Sequence, residues 1–316
     1  MQISINLHYH TKVKSKKIYW VISTALLLII VAGLVFLGLS NKPKLSSKTP
    51  MIAVAAENFW GSLLSQIGGS KVQVTSIVTD PNADPHEYES NTTDARVFAQ
   101  ASYVVINGAG YDSWANNLLN ANPTSGRKVL NVASLLQKKN GSNPHFWYSP
   151  AYVITVLAKM EQDLISLDPR DKSYFVGNFV TLKASLNDYQ NIISLIKRNY
   201  GGVKVAATED IFSYLASASG LNLVSPKAFM QAVSEGNDPP ASSVVTFEQQ
   251  LTNNTVKLLV YNTQTVTPLT LSMKQLAQEH NIPVVGVSET IQPPNSSFQS
   301  WMSIEVTKIK NALGNG

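Results

Sequence analysis

At 316 residues and 44% hydrophobic content, the chain can bury the cores of two ordinary domains or one large one, so disorder is not its default state. Its formal charge of +5 is concentrated at one end: residues 1–50 hold seven of the 25 basic side chains and no acid, leaving 18 basic against 20 acidic groups beyond, a net of −2. A mildly acidic body removes the case for a nucleic-acid-binding basic patch, and the absence of cysteine excludes disulfides, thiolate metal ligands and lipidation at cysteine.

The first segment, residues 1–17, is basic through Lys12, Lys14, Lys16 and Lys17. An uncharged run of 22 residues follows, from Ile18 to Leu39. At about 1.5 Å per residue it spans a bilayer core of about 30 Å, and the positive-inside rule leaves the amino terminus cytoplasmic and everything after Ser40 outside. Residues 18–40 therefore read as a retained transmembrane anchor. A cleaved signal peptide is the alternative, since Gly38-Leu39-Ser40 offers small residues for processing, although signal h-regions are shorter, about 7–15 residues. Residues 41–50, with Lys42 to Pro50 polar, form a tether.

From Met51 short apolar runs alternate with helical stretches: "MIAVAA", "NFWGSLLSQIGG", "VQVTSIVT", "TTDARVFAQA", "YVVING". That alternation predicts an α/β lobe with a parallel-rich sheet over residues 51–168. After Asp168-Pro169, apolar side chains fall at Phe175, Phe179, Leu182, Leu186, Tyr189, Ile193 and Ile196, alternating steps of four and three. This stripe predicts one long, rigid linker helix over residues 169–201. A second α/β lobe, residues 202–316, follows in "VKVAAT", "DIFSYLASASG", "VKLLVYN", "TLSMKQLAQEHN", "IPVVGVSE" and a terminal helix through "SSFQSWMSIEVTKIKNALG". No sequence repeat links the lobes.

Four chemistry-bearing residues stand in loops after predicted strands: His86 in "DPHEYE", His145 in "NPHFWYSP", Glu209 in "ATEDIFSYLA" and Glu289 in "GVSETIQPP". Strand carboxyl ends converge at one edge of an α/β sheet, and two imidazoles with two carboxylates can enclose a divalent cation. Each also has a plainer reading: a surface histidine, a member of an aromatic cluster, a helix-start acid and a loop acid. Spacings of 59, 64 and 80 residues do not decide between these. Glu57, Asn58 and Asp84 are candidates to orient the imidazoles, with Trp60 and Trp147 as cleft walls or core.

Together "AAENFWG", "DPHEYE", "NPHFWYSP", "ATEDIFSYLASASGL" and "NIPVVGVSETIQPP" resemble the zinc- and manganese-binding solute receptors of bacterial ABC transporters, the cluster A-I family, from about Met51 to Gly316. The resemblance implies two α/β lobes joined by a rigid helix, with a divalent transition-metal ion, Zn²⁺ or Mn²⁺, held between them as cargo for an ABC permease. It matches His86 to the family's first histidine and His145 to the second, with Asn143 where aspartate is common. Glu209 falls where members carry histidine or glutamate, and Glu289 where many carry aspartate. The protein is then a monomeric, extracytoplasmic, membrane-attached receptor and not an enzyme. Two other classes stay open: a metal-dependent hydrolase, against which stand four protein ligands and the lack of HExxH and GxSxG, and a surface adhesion or scaffold protein without metal dependence.

Overall fold

The computed structural model describes Trp20, residues 27–31 and residues 49–314. The anchor expected over 18–40 and the tether over 41–50 lie for the most part outside the described residues. No helix among the described residues is long and apolar enough to cross a membrane.

The first sheet is wholly parallel, built from β1 (Met51–Glu57), β2 (Val72–Val78), β3 (Tyr103–Ile106) and β4 (Lys128–Asn131) in the order β2-β1-β3-β4. Parallel neighbours need crossovers, supplied by α1 (Asn58–Gly68), α2 (Thr92–Gln100) and α3 (Ser113–Ala121). β1 shows why its residues are small or branched: Ala53 and Ala55 face one core while Val54 and Ala56 face another, so both faces are covered. Beyond β4 come α4 (Val132–Leu135) and α5 (Pro150–Leu167), the latter capped by the Ser149 hydroxyl and started by Pro150.

The single helix expected over 169–201 is instead a 3₁₀ turn at Pro169–Asp171 and two α-helices, α6 (Lys172–Ser185) and α7 (Asn187–Tyr200). The break falls at Leu186, where ψ is −14°. At the break the Ser185 hydroxyl donates to the Leu182 carbonyl at 2.8 Å, competing for a helical acceptor. The apolar stripe runs on across the break, with Phe175, Leu182, Leu186, Tyr189, Ile193 and Ile196 all buried.

The second sheet has the same topology as the first: β5 (Lys204–Ala207), β6 (Asn222–Leu223), β7 (Leu259–Asn262) and β8 (Val284–Val287), all parallel, in the order β6-β5-β7-β8. Around it lie α8 (Ser213–Ala218), α9 (Lys227–Ser234), α10 (Ala241–Thr252), α11 (Pro268–Glu279) and α12 (Phe298–Gly314). Helix α6 packs on α1 and α5 of the first lobe, whereas α7 packs on α12 of the second. The break at Leu186 thus sits where the stripe passes from one lobe to the other. One apolar cluster, from Ala53 to Leu313, runs through both lobes and includes the stripe.

In each sheet the strand order reverses once, between β1 and β3 and between β5 and β7. Ligands of open parallel sheets bind outside the strand carboxyl ends at such points. The four residues marked in the sequence lie in the segments that follow β2, β4, β5 and β8, at the carboxyl-end side of the two sheets.

Candidate metal centre

His86 is set by a short 3₁₀ turn, Pro85–Glu87, after β2. Proline fixes the first dihedral of the turn, and Asp84 Oδ1 accepts the His86 amide at 2.9 Å. His145 ends the loop beyond α4, where Asn143 Oδ1 accepts its amide and lies 2.9 Å from its ring Nδ1. Asp210 Oδ1 stands 3.2 Å from the same nitrogen. With Nδ1 held by oxygens on both sides, Nε2 is the atom turned toward the centre. Trp147 meets this ring edge-on and stacks on Phe59 at 3.9 Å, forming a rigid apolar wall.

Glu209 lies two residues beyond β5 in extended backbone and makes no capping bond to the turn that follows, so helix-start capping does not explain it. Glu289 leaves β8 and is wholly buried, as is Glu209. Glu289 Oε2 lies 3.4 Å from His86 Nε2 and 3.7 Å from His145 Nε2, and accepts the Tyr111 hydroxyl at 2.7 Å. Donor atoms of His86, His145 and Glu289 all fall within 4.8 Å of one another. Glu209 is outside that trio but tied to it: Asn262 Nδ2 donates to Glu209 Oε1 at 2.5 Å and to Glu289 Oε1 at 2.8 Å.

Two atoms of this trio, His86 Nε2 and His145 Nε2, have no hydrogen-bond partner although buried, and neither has Glu209 Oε2 beside it. Leaving such atoms bare costs about 1–3 kcal/mol each. A divalent cation among the trio would satisfy both imidazole nitrogens and the Glu289 carboxylate at once, and nitrogen with carboxylate donors suits Zn²⁺ or Mn²⁺. Electrostatics agree with a cation-shaped gap. Burial opposes ionisation of Glu289, but His86 and His145 pull its pKa down to about 2. Burial likewise opposes charge on His145, yet Asp210 and Glu289 carry it up to about 10. Burial, then repulsion from Glu289, lifts Glu209 to about 8.

The expected orienting residues act on backbone or elsewhere. Asp84 holds the His86 amide, Asn58 Oδ1 accepts the Ile291 amide at 3.2 Å, and the pKa of buried Glu57 is raised by burial and by Asp112. Asn262, Tyr111, Asp210 and Gln264 went unmarked in the sequence; Asn262 ends β7, Asp210 opens a 3₁₀ turn and the other two lie in loops, so none carries a periodic signal and only its partners reveal it. A cleft of about 1130 Å³ opens beside the centre, lined by Asp84, His86, Tyr111, Asn143, Asp210 and Tyr214 among others.

Two parallel-sheet lobes with imidazole and carboxylate donors meeting at their strand ends define a solute-binding protein of the two-lobe type. Residues 53–312 match the family described as zinc-uptake complex component A, periplasmic, and the chain belongs to that family. It is similar to the manganese ABC transporter substrate-binding lipoprotein PsaA of Streptococcus pneumoniae, 24% identical over 297 residues that cover 87% of this chain and 92% of that protein. It is also similar to the iron ABC transporter substrate-binding lipoprotein MtsA of Streptococcus pyogenes serotype M1, 22% identical with 87% and 92% covered. Among solved structures, the fold matches a manganese-bound periplasmic metal-binding protein from Candidatus Liberibacter asiaticus, TM-score 0.69 at 19% identity, covering 83% of this chain and 99% of that one. A crystal structure of ZnuA matches with TM-score 0.67 at 23% identity, covering 83% and 99%. The family is one of transporter substrate-binding proteins, not of enzymes, which disposes of the hydrolase reading.

Proposed function

We propose that the protein captures a divalent transition-metal ion outside the membrane, between the lobes of residues 51–168 and 202–316, and delivers it to an ABC permease. His86, His145 and Glu289 are its ligands, with Glu209 as the fourth. The observation that carries this reading is the convergence of two unpartnered imidazole nitrogens and the Glu289 carboxylate within 4.8 Å, from three separate loops. Relatives named for manganese and iron fit an oxygen-containing ligand set. Zn²⁺ binds such a set more tightly than Mn²⁺ at equilibrium, so supply outside the cell, not affinity, decides the cargo.

The test is calorimetric titration of chelator-stripped protein with Zn²⁺ and with Mn²⁺, together with thermal melting. One ion per monomer is expected, with Zn²⁺ displacing Mn²⁺ in competition. Saturating metal raises stability by about 3–4 kcal/mol at 100 to 1,000 times the dissociation constant. His86→Ala and His145→Ala should each weaken binding by at least about tenfold while the fold survives. Wild-type affinity in either variant rejects the assignment, and no response to metal in the parent protein returns the chain to the scaffold class.

We further propose that residues 18–40 attach the protein to the membrane. Curated relatives are lipoproteins, and this chain has no cysteine to acylate. The uncharged run from Ile18 to Leu39 supplies an anchor in its place. A protein with an intact amino terminus that stays in membranes through alkaline extraction is expected; a shortened protein in the soluble fraction refutes retention.

A further inference from the structure

We propose that Gln264 is the positioning residue that fixes the two halves of the cation site against each other, and that it does so before any cation arrives. This rests on the metal-capture reading above. Gln264 lies in the loop after β7 and is 6% exposed. Its Oε1 accepts the main-chain N–H of Glu289 at 2.7 Å, that of Thr290 at 2.9 Å, and the Thr290 hydroxyl at 3.2 Å. Its Nε2 donates to the carbonyls of Ala83 at 2.7 Å and Asp80 at 3.5 Å. Three donors on one side and two acceptors on the other leave the amide one orientation.

Both ends of this bridge land on ligand-bearing backbone. One end is the amide of Glu289 itself, in the second lobe. The other is the loop of the first lobe that ends at Asp84, whose carboxylate takes the His86 amide. A third link runs through the main chain: the Gln264 N–H donates to Asn262 Oδ1 at 2.9 Å, fixing the amide that bridges Glu209 and Glu289. One buried residue therefore sets His86 and Glu289 relative to each other through its side chain, and Glu209 through its main-chain N–H and Asn262.

Every bond of this clasp is made by neutral groups to a main-chain partner or hydroxyl, so none needs a metal ion. Gln292 Nε2 to the Pro81 carbonyl, 2.9 Å, and the Thr290 hydroxyl to the Asp80 carbonyl, 3.4 Å, lie along the same seam. None of Gln264, Thr290 and Gln292 lines the 1130 Å³ cleft beside His86. The ion then passes through the cleft while the seam stays shut. A carboxamide is required: a carboxylate at 264 would set oxygen against the Ala83 carbonyl and add a charge beside Glu289.

The test compares the wild-type protein with Gln264→Met, which keeps size and loses all five side-chain bonds, and with Gln264→Glu, which keeps the Glu289 side alone. Mn²⁺ dissociation is followed by stopped-flow chase with EDTA, and hydrogen exchange is measured on the metal-free proteins. Dissociation is expected to rise at least about tenfold in Gln264→Met. Amides of residues 86–88 should exchange faster in both variants without metal, while Gln292→Met, which touches neither Glu289 nor His86, keeps near-wild-type dissociation. A residue that served stability alone would lower the melting temperature and leave the dissociation rate unmoved. If wild-type protein binds Mn²⁺ but both Gln264 variants release it at the wild-type rate, or if exchange at 86–88 is unchanged, the clasp is refuted and metal capture stands. If the wild-type protein binds neither Mn²⁺ nor Zn²⁺, both are refuted.

Discussion

Asn262 places one amide nitrogen between the carboxylates of Glu209 and Glu289, with the Thr265 hydroxyl at 3.0 Å as a further partner. Two wholly buried acids can share a site without metal only if something neutral or positive stands between them. Asn262→Asp is nearly isosteric but converts that donor into a third carboxylate. The metal-free protein should lose about 1–3 kcal/mol for the unmade hydrogen bonds, with charge repulsion added. The metal-induced rise in melting temperature should grow, because the ion then neutralises an extra acid. Melting in EDTA and in saturating Mn²⁺ measures both; an unchanged metal-free melting point would show that the bridge is idle. Sequence pattern located His86 and His145 because Asp-Pro-His and Asn-Pro-His are turn elements with a rigid residue before an imidazole. It missed Asn262, Gln264 and Tyr111 because the partners that tie them to the site lie from 25 to 184 positions away, a range over which local pattern carries nothing.

At the level of elements, legibility followed burial. β1, β2, β3, β5, β7 and β8 are apolar runs and were readable as such. β4 reads Lys-Val-Leu-Asn, with Val129 44% exposed, and β6 has two residues, so neither carries a strand pattern of its own. α5 was readable and went unmarked: Val153, Val156, Leu157, Met160 and Leu164 follow a helical period behind a Ser-Pro start. The terminal helix α12 bears a test of its own in Glu305, 2% exposed among apolar side chains. Burial raises its pKa from 4.5 to about 8, outweighing Lys308 and the hydrogen bonds of Trp301 and Ser288. A carboxyl whose pKa is higher in the folded state binds its proton more tightly there. Its stabilisation is therefore full in acid and is lost as pH climbs from about 4.5 through about 8. Glu305→Gln keeps the neutral form at every pH. Wild-type and variant should melt nearly alike at pH 4, diverge progressively between about pH 5 and pH 8, and keep a constant gap above that, the variant gaining on the order of a few kcal/mol at pH 9. Glu57, also raised by burial, drifts the same way in both proteins, so the difference isolates Glu305. Parallel pH profiles would mean that Glu305 is already ionised in the fold.

Across the whole of residues 50–314, the question is how far the lobes move to admit an ion. The fold argues for little motion. One apolar cluster runs from the first lobe through the stripe of α6 and α7 into α12, so swinging one lobe away exposes core and not merely a polar seam. Bonds that cross the centre add to this: Tyr148 donates to the Ser288 carbonyl at 2.8 Å, and Tyr214 to the Asn143 carbonyl at 2.9 Å. The break at Leu186 is the one interruption in the linking helices, and its side chain is wholly buried, which makes it a packed joint and not a free hinge. Admission of the ion then falls to the loops around the cleft, those of His86, Asn143 and Asp210, whose rearrangement is small in mass. Small-angle scattering of chelator-stripped and Mn²⁺-loaded protein should give radii of gyration that coincide within error, while hydrogen exchange changes at the loops bearing residues 86–89, 141–145 and 209–212. A compaction of the whole particle on loading, with protection spreading along α6 and α7, would instead mean that the core between the lobes opens and that the joint at Leu186 bends.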